Sequence, residues 1–211
     1  MSDPKLLIAS HNLGKIREYR HLLRDLPLEL VSPDDLGIYE EIAETGNTFA
    51  ENAWLKAGGY AGLSGMLTLS DDSGLEVDAL DGEPGIHSAR YGGDSCASDE
   101  ERVQLLLRNL AGVPREKRTA RFRCVIAICG PDGRKASVVG SVAGMIQYEP
   151  EGNEGFGYDP VFYLPSYGQT MSQIPLAAKN RISHRSDATG RAVAVLKKLV
   201  ETGQSPQIEG A

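Results

Sequence analysis

The chain has 211 residues, a formal net charge of −7, 41% hydrophobic and 24% charged residues, which suits an ordinary globular protein with a sizeable core. The acidic balance argues against a general binder of nucleic acid or anionic membrane, either of which needs an extended basic surface, and no segment is apolar for long enough to span a bilayer. The opening "MSDPKLLIAS" fits no secretory signal, and Cys96, Cys124 and Cys129 make neither a CxxC pair nor an even disulfide set, so a reducing, cytoplasmic setting is expected.

Residues 5–10, "KLLIAS", predict a buried strand, followed by "HNLG" as a turn and "KIREYRHLL" as a helix with Ile16, Tyr19 and Leu23 on one face. A second helix is predicted from Thr48, which stands at capping-box spacing from Glu51, through Trp54 and Lys56 towards Tyr60, with Gly58 and Gly59 weakening its second half. "MLTLSDDSG", residues 66–74, reads as a strand that stops at Asp71 and Asp72; "LEVDAL" and a Gly/Pro-rich loop follow. Ser98 and Glu101 repeat the capping-box spacing, and Val103, Leu106, Leu107 and Leu110 define an amphipathic helix stopped by Gly112 and Pro114. "RTARFRCVIAIC" alternates, with Ala120, Phe122, Cys124, Ile126 and Ile128 on one side, and "PDG" turns it back into "KASVVGSVAGMI" as a hairpin. "VFYL" predicts a short strand, and a last helix is expected over 183–200 using Val193, Leu196 and Val200, with a loose tail from about 202. Without repeats or linkers, this predicts one α/β domain over 1–211, built on a mixed sheet.

Four segments could carry chemistry besides the aspartate pair. Asp-Asp-Ser-Gly is good turn chemistry, yet two adjacent carboxylates at a strand end also suit Mg²⁺ or the activation of water. "SHNLGK" places Asn12, Gly14 and Lys15 where a helix begins, as an anion receptor or as a plain Asn/Gly turn with a solvated lysine. In "ETGNTFAENAWLKA", Glu44 precedes a helix that holds Lys56, and by itself it reads as a solvated charge. "GFGYDP" flanks Phe156 with glycines, so the ring could stack on a nucleobase or plug the core. "KNRISHRSDATGR" holds four Lys/Arg residues and His184 against a single acid, Asp187, and either addresses a ligand or is a solvated helix end. No GxSxG, HExxH, CxxC or GxGxxG signature competes. Carboxylates, lysines and a phosphate-ready turn together suit metal-assisted phosphoryl chemistry.

"SHNLGK", "ETGNTFAENAWLKA", "DDSGLEVDALDGEPGIHSARYGG", "GFGYDPVF" and "KNRISHR", in this order, closely resemble the inosine triphosphate pyrophosphatase family, over most of the chain from Lys5 to about Leu199. The resemblance implies a homodimeric, Mg²⁺-dependent enzyme with a two-lobed domain around a long mixed β-sheet flanked by helices and its active-site cleft between the lobes. It would convert dITP, ITP or XTP to the monophosphate and pyrophosphate. Carried over by motif, Ser10, His11, Asn12, Leu13, Gly14 and Lys15 would hold phosphates. Glu44 and Asp72 would hold Mg²⁺, Asp72 would accept the proton of the attacking water, and Lys56 and Asp71 would support that centre. Ser73, Phe156, Gly157, Tyr158, Asp159, Lys179, His184 and Arg185 would contact the nucleotide. Lys15, Lys56 and Lys179 would neutralise charge on the leaving pyrophosphate. Donors such as Arg185, His184 or backbone N–H groups would meet a 6-oxo base and disfavour adenine. The rival readings are the same chemistry on another nucleotide, such as dTTP or UTP, and a nucleotide sensor without turnover.

Overall fold

A computed structural model describes residues 4–202. Lys5–Ile8 (β1), Glu29–Val31 (β2), Leu67–Val77 (β3), Thr119–Cys129 (β4), Lys135–Ile146 (β5), Phe162–Leu164 (β6) and Gln169–Thr170 (β7) form one sheet in the spatial order β2-β1-β3-β4-β5-β6-β7. β1 runs parallel to both β2 and β3, whereas β5, β6 and β7 pair antiparallel, so the sheet is mixed. The helices are Leu13–Leu22 (α1), Phe49–Ser64 (α2), Asp99–Asn109 (α3), Leu176–Ile182 (α4) and His184–Thr202 (α5).

Two compact units share the described chain. One comprises the residues up to Asp72, Cys124–Gly140 and those from Arg185 on; the other comprises Ser73–Arg123 and Ser141–His184. The first has a core of Leu6, Ile8, Tyr19, Leu69, Ile126, Ala192 and Leu196, where α1 and α5 bury their apolar faces. Leu6, Leu7 and Ile8 are all buried, the unbroken apolar run typical of parallel strands. The second unit packs Val103 and Leu106 of α3 with Leu75, Val77, Phe122, Phe162 and Ile174.

The helix starts follow their capping chemistry. Ser98 and Glu101 complete a reciprocal capping box at α3. At α2 the Thr48 hydroxyl accepts the Glu51 N–H, but the Glu51 carboxylate accepts from Asn47 rather than from Thr48. Gly58 and Gly59 do not end α2, which runs on to Ser64. A Cβ at Gly59 would come within 2.7 Å of Ile42, so the glycine there serves close packing.

Three differences from the sequence reading matter. β3 does not stop at the aspartates: Asp71 and Asp72 lie in the middle of an 11-residue strand. That strand sits between β1 and β4 in the sheet; β1 pairs with it only over Leu67–Leu69, so the aspartates lie where β3 has run on past β1, and tertiary context overrides the local turn preference. The last helix, α5, starts at His184 as expected, but a short helix outside that reading, α4, precedes it, and Ser183 takes an extended conformation between the two. β2 and β7, of three and two residues, carry too little pattern to be read. The tail expected beyond 202 lies outside the described residues, as does the side chain of Val200.

Candidate active site

The first unit gathers the phosphate and carboxylate candidates. Ser10 Oγ accepts the Asn12 N–H at 3.1 Å, and Asn12 caps α1 by accepting the Lys15 N–H at 3.0 Å. The first-turn N–H groups of a helix lack intrahelical acceptors, which suits the turn to an anion. Leu13 there is 69% exposed. No acidic residue occupies this first turn. Lys15 therefore faces the positive helix end, an arrangement that favours an added anion. His11 does not stand open: Nδ1 is 2.9 Å from Asp34 Oδ1, and Nε2 is 3.1 Å from the Tyr60 hydroxyl, which donates to the Glu40 carbonyl.

Alternating charges surround the paired aspartates. Asp71 Oδ2 lies 3.1 Å from Lys15 Nζ and 3.2 Å from Arg185 Nη2, while Arg185 Nη1 is 2.5 Å from Glu18 Oε2. Arg185, expected at the nucleotide, is 1% exposed and turned to these two carboxylates. Lys56 Nζ lies 2.5 Å from Glu44 Oε1 and 3.6 Å from Asp72 Oδ1. The two expected metal ligands thus converge on one ammonium. Among the described residues no group of three or more His, Cys, Asp and Glu side chains could hold a metal ion; Glu44 and Asp72 form a pair.

Electrostatics separates the two neighbours. Burial would raise the Asp71 carboxyl, but Lys15, Arg185 and Lys56 outweigh it and hold Asp71 well below the usual carboxylate range. For Asp72 burial prevails: Lys56 opposes it, Glu44 adds to it, and the carboxyl is raised. Asp71 is a fixed anion and Asp72 a more basic one. Burial lowers the Lys56 ammonium, yet Asp72, Asp71 and Glu44 together leave it raised.

The second unit gathers the aromatic and basic candidates. Asp159 Oδ2 accepts the Phe156 N–H at 2.9 Å and lies 2.7 Å from Lys179 Nζ, which α4 supplies and which sits 4.7 Å from the Phe156 ring centroid. Lys179, expected to neutralise phosphate charge, is 3% exposed and neutralises this loop carboxylate. The Tyr158 hydroxyl donates to the Ser88 carbonyl at 2.9 Å, and Ser73 continues β3 half-buried. His184 is buried and stacks on Phe122 at 4.8 Å and 17°. Gly155 lies at φ +84, and a Cβ there would come within 2.1 Å of Asp159 Oδ2. Gly155→Ala should accordingly lower stability by about 1–3 kcal/mol, read from urea unfolding; a neutral result would mean that the loop re-forms without the Asp159 contact.

Among known protein families, the Ham1 family model matches residues 6–195. The chain belongs to the Ham1 family. A relative from Geobacter sulfurreducens, named dITP/XTP pyrophosphatase, is 49% identical over 193 residues, which cover 92% of this chain and 94% of that protein. The Ham1 protein of Staphylococcus aureus superposes with a TM-score of 0.81 at 41% identity, covering 92% of this chain and 98% of that one. A HAM1 protein from Coxiella burnetii gives 0.84 at 39% identity, over 92% and 99%. In this Ham1 chain the motif reading missed Glu18, because a glutamate three residues after Lys15 looks like an ordinary helix-surface pair. It is nevertheless 4% exposed.

Proposed function

We propose that this protein hydrolyses deaminated purine nucleoside triphosphates, namely dITP, ITP and XTP, to the monophosphate and pyrophosphate with Mg²⁺, clearing them from the nucleotide pool. The observation that carries the reading is the convergence of Glu44 and Asp72 on Lys56, beside an Asp71 already held by Lys15 and Arg185. The name borne by the relative from Geobacter sulfurreducens supports the substrate class.

Two carboxylates, Asp72 buried and Glu44 partly exposed, suit Mg²⁺, a hard cation commonly held by one or two carboxylates with waters and substrate phosphates. When bound, Mg²⁺ would supply charge neutralisation and lower the pKa of the attacking water. Glu44 and Asp72 would hold it. The remaining work falls to the chain's own residues. The turn from Ser10 to Lys15 receives phosphate oxygens, and Lys15 and Lys56 neutralise charge that builds on the leaving group. The second oxygen of Asp72 takes a proton from water as the water oxygen bonds to the α-phosphorus. The bond from that phosphorus to the bridging oxygen breaks, and pyrophosphate departs. Asp71, fully charged and anchored, orients Lys15. Phe156 stacks on the base, and His184 or loop N–H groups meet the 6-oxo acceptor; adenine's amino group would leave such donors unpaired at about 1–3 kcal/mol each.

The test is release of pyrophosphate and orthophosphate from dITP, ITP, XTP, GTP, ATP and dTTP, with and without Mg²⁺. Pyrophosphate should appear only with Mg²⁺ and fastest from the first three. A preference for dTTP would move the same chemistry to another nucleotide, tight binding without release would make the protein a sensor, and orthophosphate as the product would sink attack at the α-phosphorus. Thermal unfolding adds an independent readout: Mg²⁺ at 100 times its Kd should stabilise the protein by about 2.7 kcal/mol. Glu44→Gln should abolish most of that gain.

A further inference from the structure

We propose that Asp99 is a positioning residue for the aromatic loop 155–159 and sets nucleotide binding through the backbone of Gly157. A carboxylate in the first turn of a helix ordinarily complements the macrodipole, and in α3 Glu101 does local work of this kind by accepting the N–H groups of Ala97 and Ser98. Asp99 acts at a distance. Its Oδ2 accepts the Gly157 N–H at 2.9 Å across 58 residues of chain. Its Oδ1 lies 2.5 Å from Arg102 Nη2, and Arg102 Nη1 donates to the Cys96 carbonyl at 3.2 Å. Arg102 thereby braces the carboxylate from behind, and the oxygen left over goes to the loop.

The contact falls where it governs the aromatic ring. Gly157 lies at φ +62, between Phe156 and Tyr158. The Phe156 N–H goes to Asp159 and the Gly157 N–H to Asp99, so carboxylates capture two successive N–H groups, one from inside the loop and one from α3. The peptide planes on both sides of Phe156 are thus fixed before any ligand arrives. Ordering a mobile segment at the moment of binding weakens affinity, and holding it in advance avoids that loss. The inference rests on the proposed reading in which Phe156 receives the base.

The test compares the full-length wild type with Asp99→Ala, Asp99→Asn and Glu100→Ala, by amide hydrogen exchange of the ligand-free loop and by KM and kcat for pyrophosphate release from dITP. Asp99→Ala should speed exchange at Gly157 and raise KM by about tenfold, the loss of one charge-assisted hydrogen bond, with kcat within about twofold. Asp99→Asn keeps one oxygen but sets an NH2 donor against either Arg102 or the Gly157 N–H, and should fall between wild type and Asp99→Ala in both readouts. Glu100→Ala removes a charge from the same helix end without touching the loop, and should match wild type in both readouts. Unchanged exchange in Asp99→Ala, faster exchange with unchanged KM, a fall in kcat alone, or an equal effect from Glu100→Ala would each overturn the proposal. A wild type that releases no pyrophosphate from any purine triphosphate would defeat the functional reading, while the exchange comparison would still decide whether Asp99 holds the loop.

Discussion

Asp72→Asn should lower kcat for pyrophosphate release from dITP by about 10²–10⁴-fold, the range for loss of a positioned general base. The substitution keeps the shape of the side chain and removes its proton-accepting charge. Asp72 is singled out by its surroundings: it is 6% exposed, its carboxyl is raised by burial against the opposing pull of Lys56, and it shares that lysine with Glu44. Asp71, one residue away, is saturated with cations and held too acidic to accept a proton near neutral pH. Full activity in Asp72→Asn would remove it from the role of base. Equal damage to kcat from Asp71→Asn, with stability intact, would transfer that role to its neighbour.

The second large effect is on stability. Asp71→Asn should destabilise the protein by about 3–5 kcal/mol, because Lys15 and the buried Arg185 lose the carboxylate they share and Arg185 keeps its pair with Glu18 alone; chemical denaturation at pH 7 measures this. Arg185 and Asp71 side chains are each 1% exposed, so solvent screens the pair little. The dependence on pH has a definite sign. The folded-state value of Asp71 is depressed below the unfolded value of about 3.9, so its stabilisation is complete above that pH and is lost as pH falls beneath it towards the folded value. Acid titration of wild-type stability should therefore show a steeper decline below about pH 4 than the variant shows. A loss under about 1 kcal/mol at pH 7 would mean the cluster behaves as an exposed ion pair.

Much of the fold was legible where local chemistry and tertiary structure agree. Ser98, Glu101 and the spacing of Val103 and Leu106 announce α3, and both signals are local. The hairpin of β4 and β5 was legible from alternation ending in Pro-Asp-Gly. The aspartate pair was misread as a strand end because Asp-Asp-Ser-Gly has turn chemistry; β3 runs on past the end of its pairing with β1 at Leu69, beside a β4 that is remote in sequence. Motif residues of the site could be named, but not what each side chain holds. Lys179 and Arg185 look alike as basic residues of one segment, yet one meets Asp159 and the other Glu18 and Asp71. Glu18 and Asp99 have no motif at all. Each looks like a helix-surface charge until the chain is folded.

The ion pair of Arg185 with Asp71 joins residues 114 apart, and its pair with Glu18 joins residues 167 apart. Neither compact unit is a continuous stretch: β3, β4 and β5 each begin in one unit and finish in the other. A chain emerging from the ribosome therefore cannot complete the first unit when its N-terminal third is made, as a string of sequential domains would. The turn proposed to receive phosphate and the aspartates are synthesised early, but the guanidinium paired with Asp71 and Glu18 arrives only with α5. A chain halted before Arg185 therefore carries every proposed phosphate and metal ligand and still lacks the cation that pairs with Asp71 and Glu18.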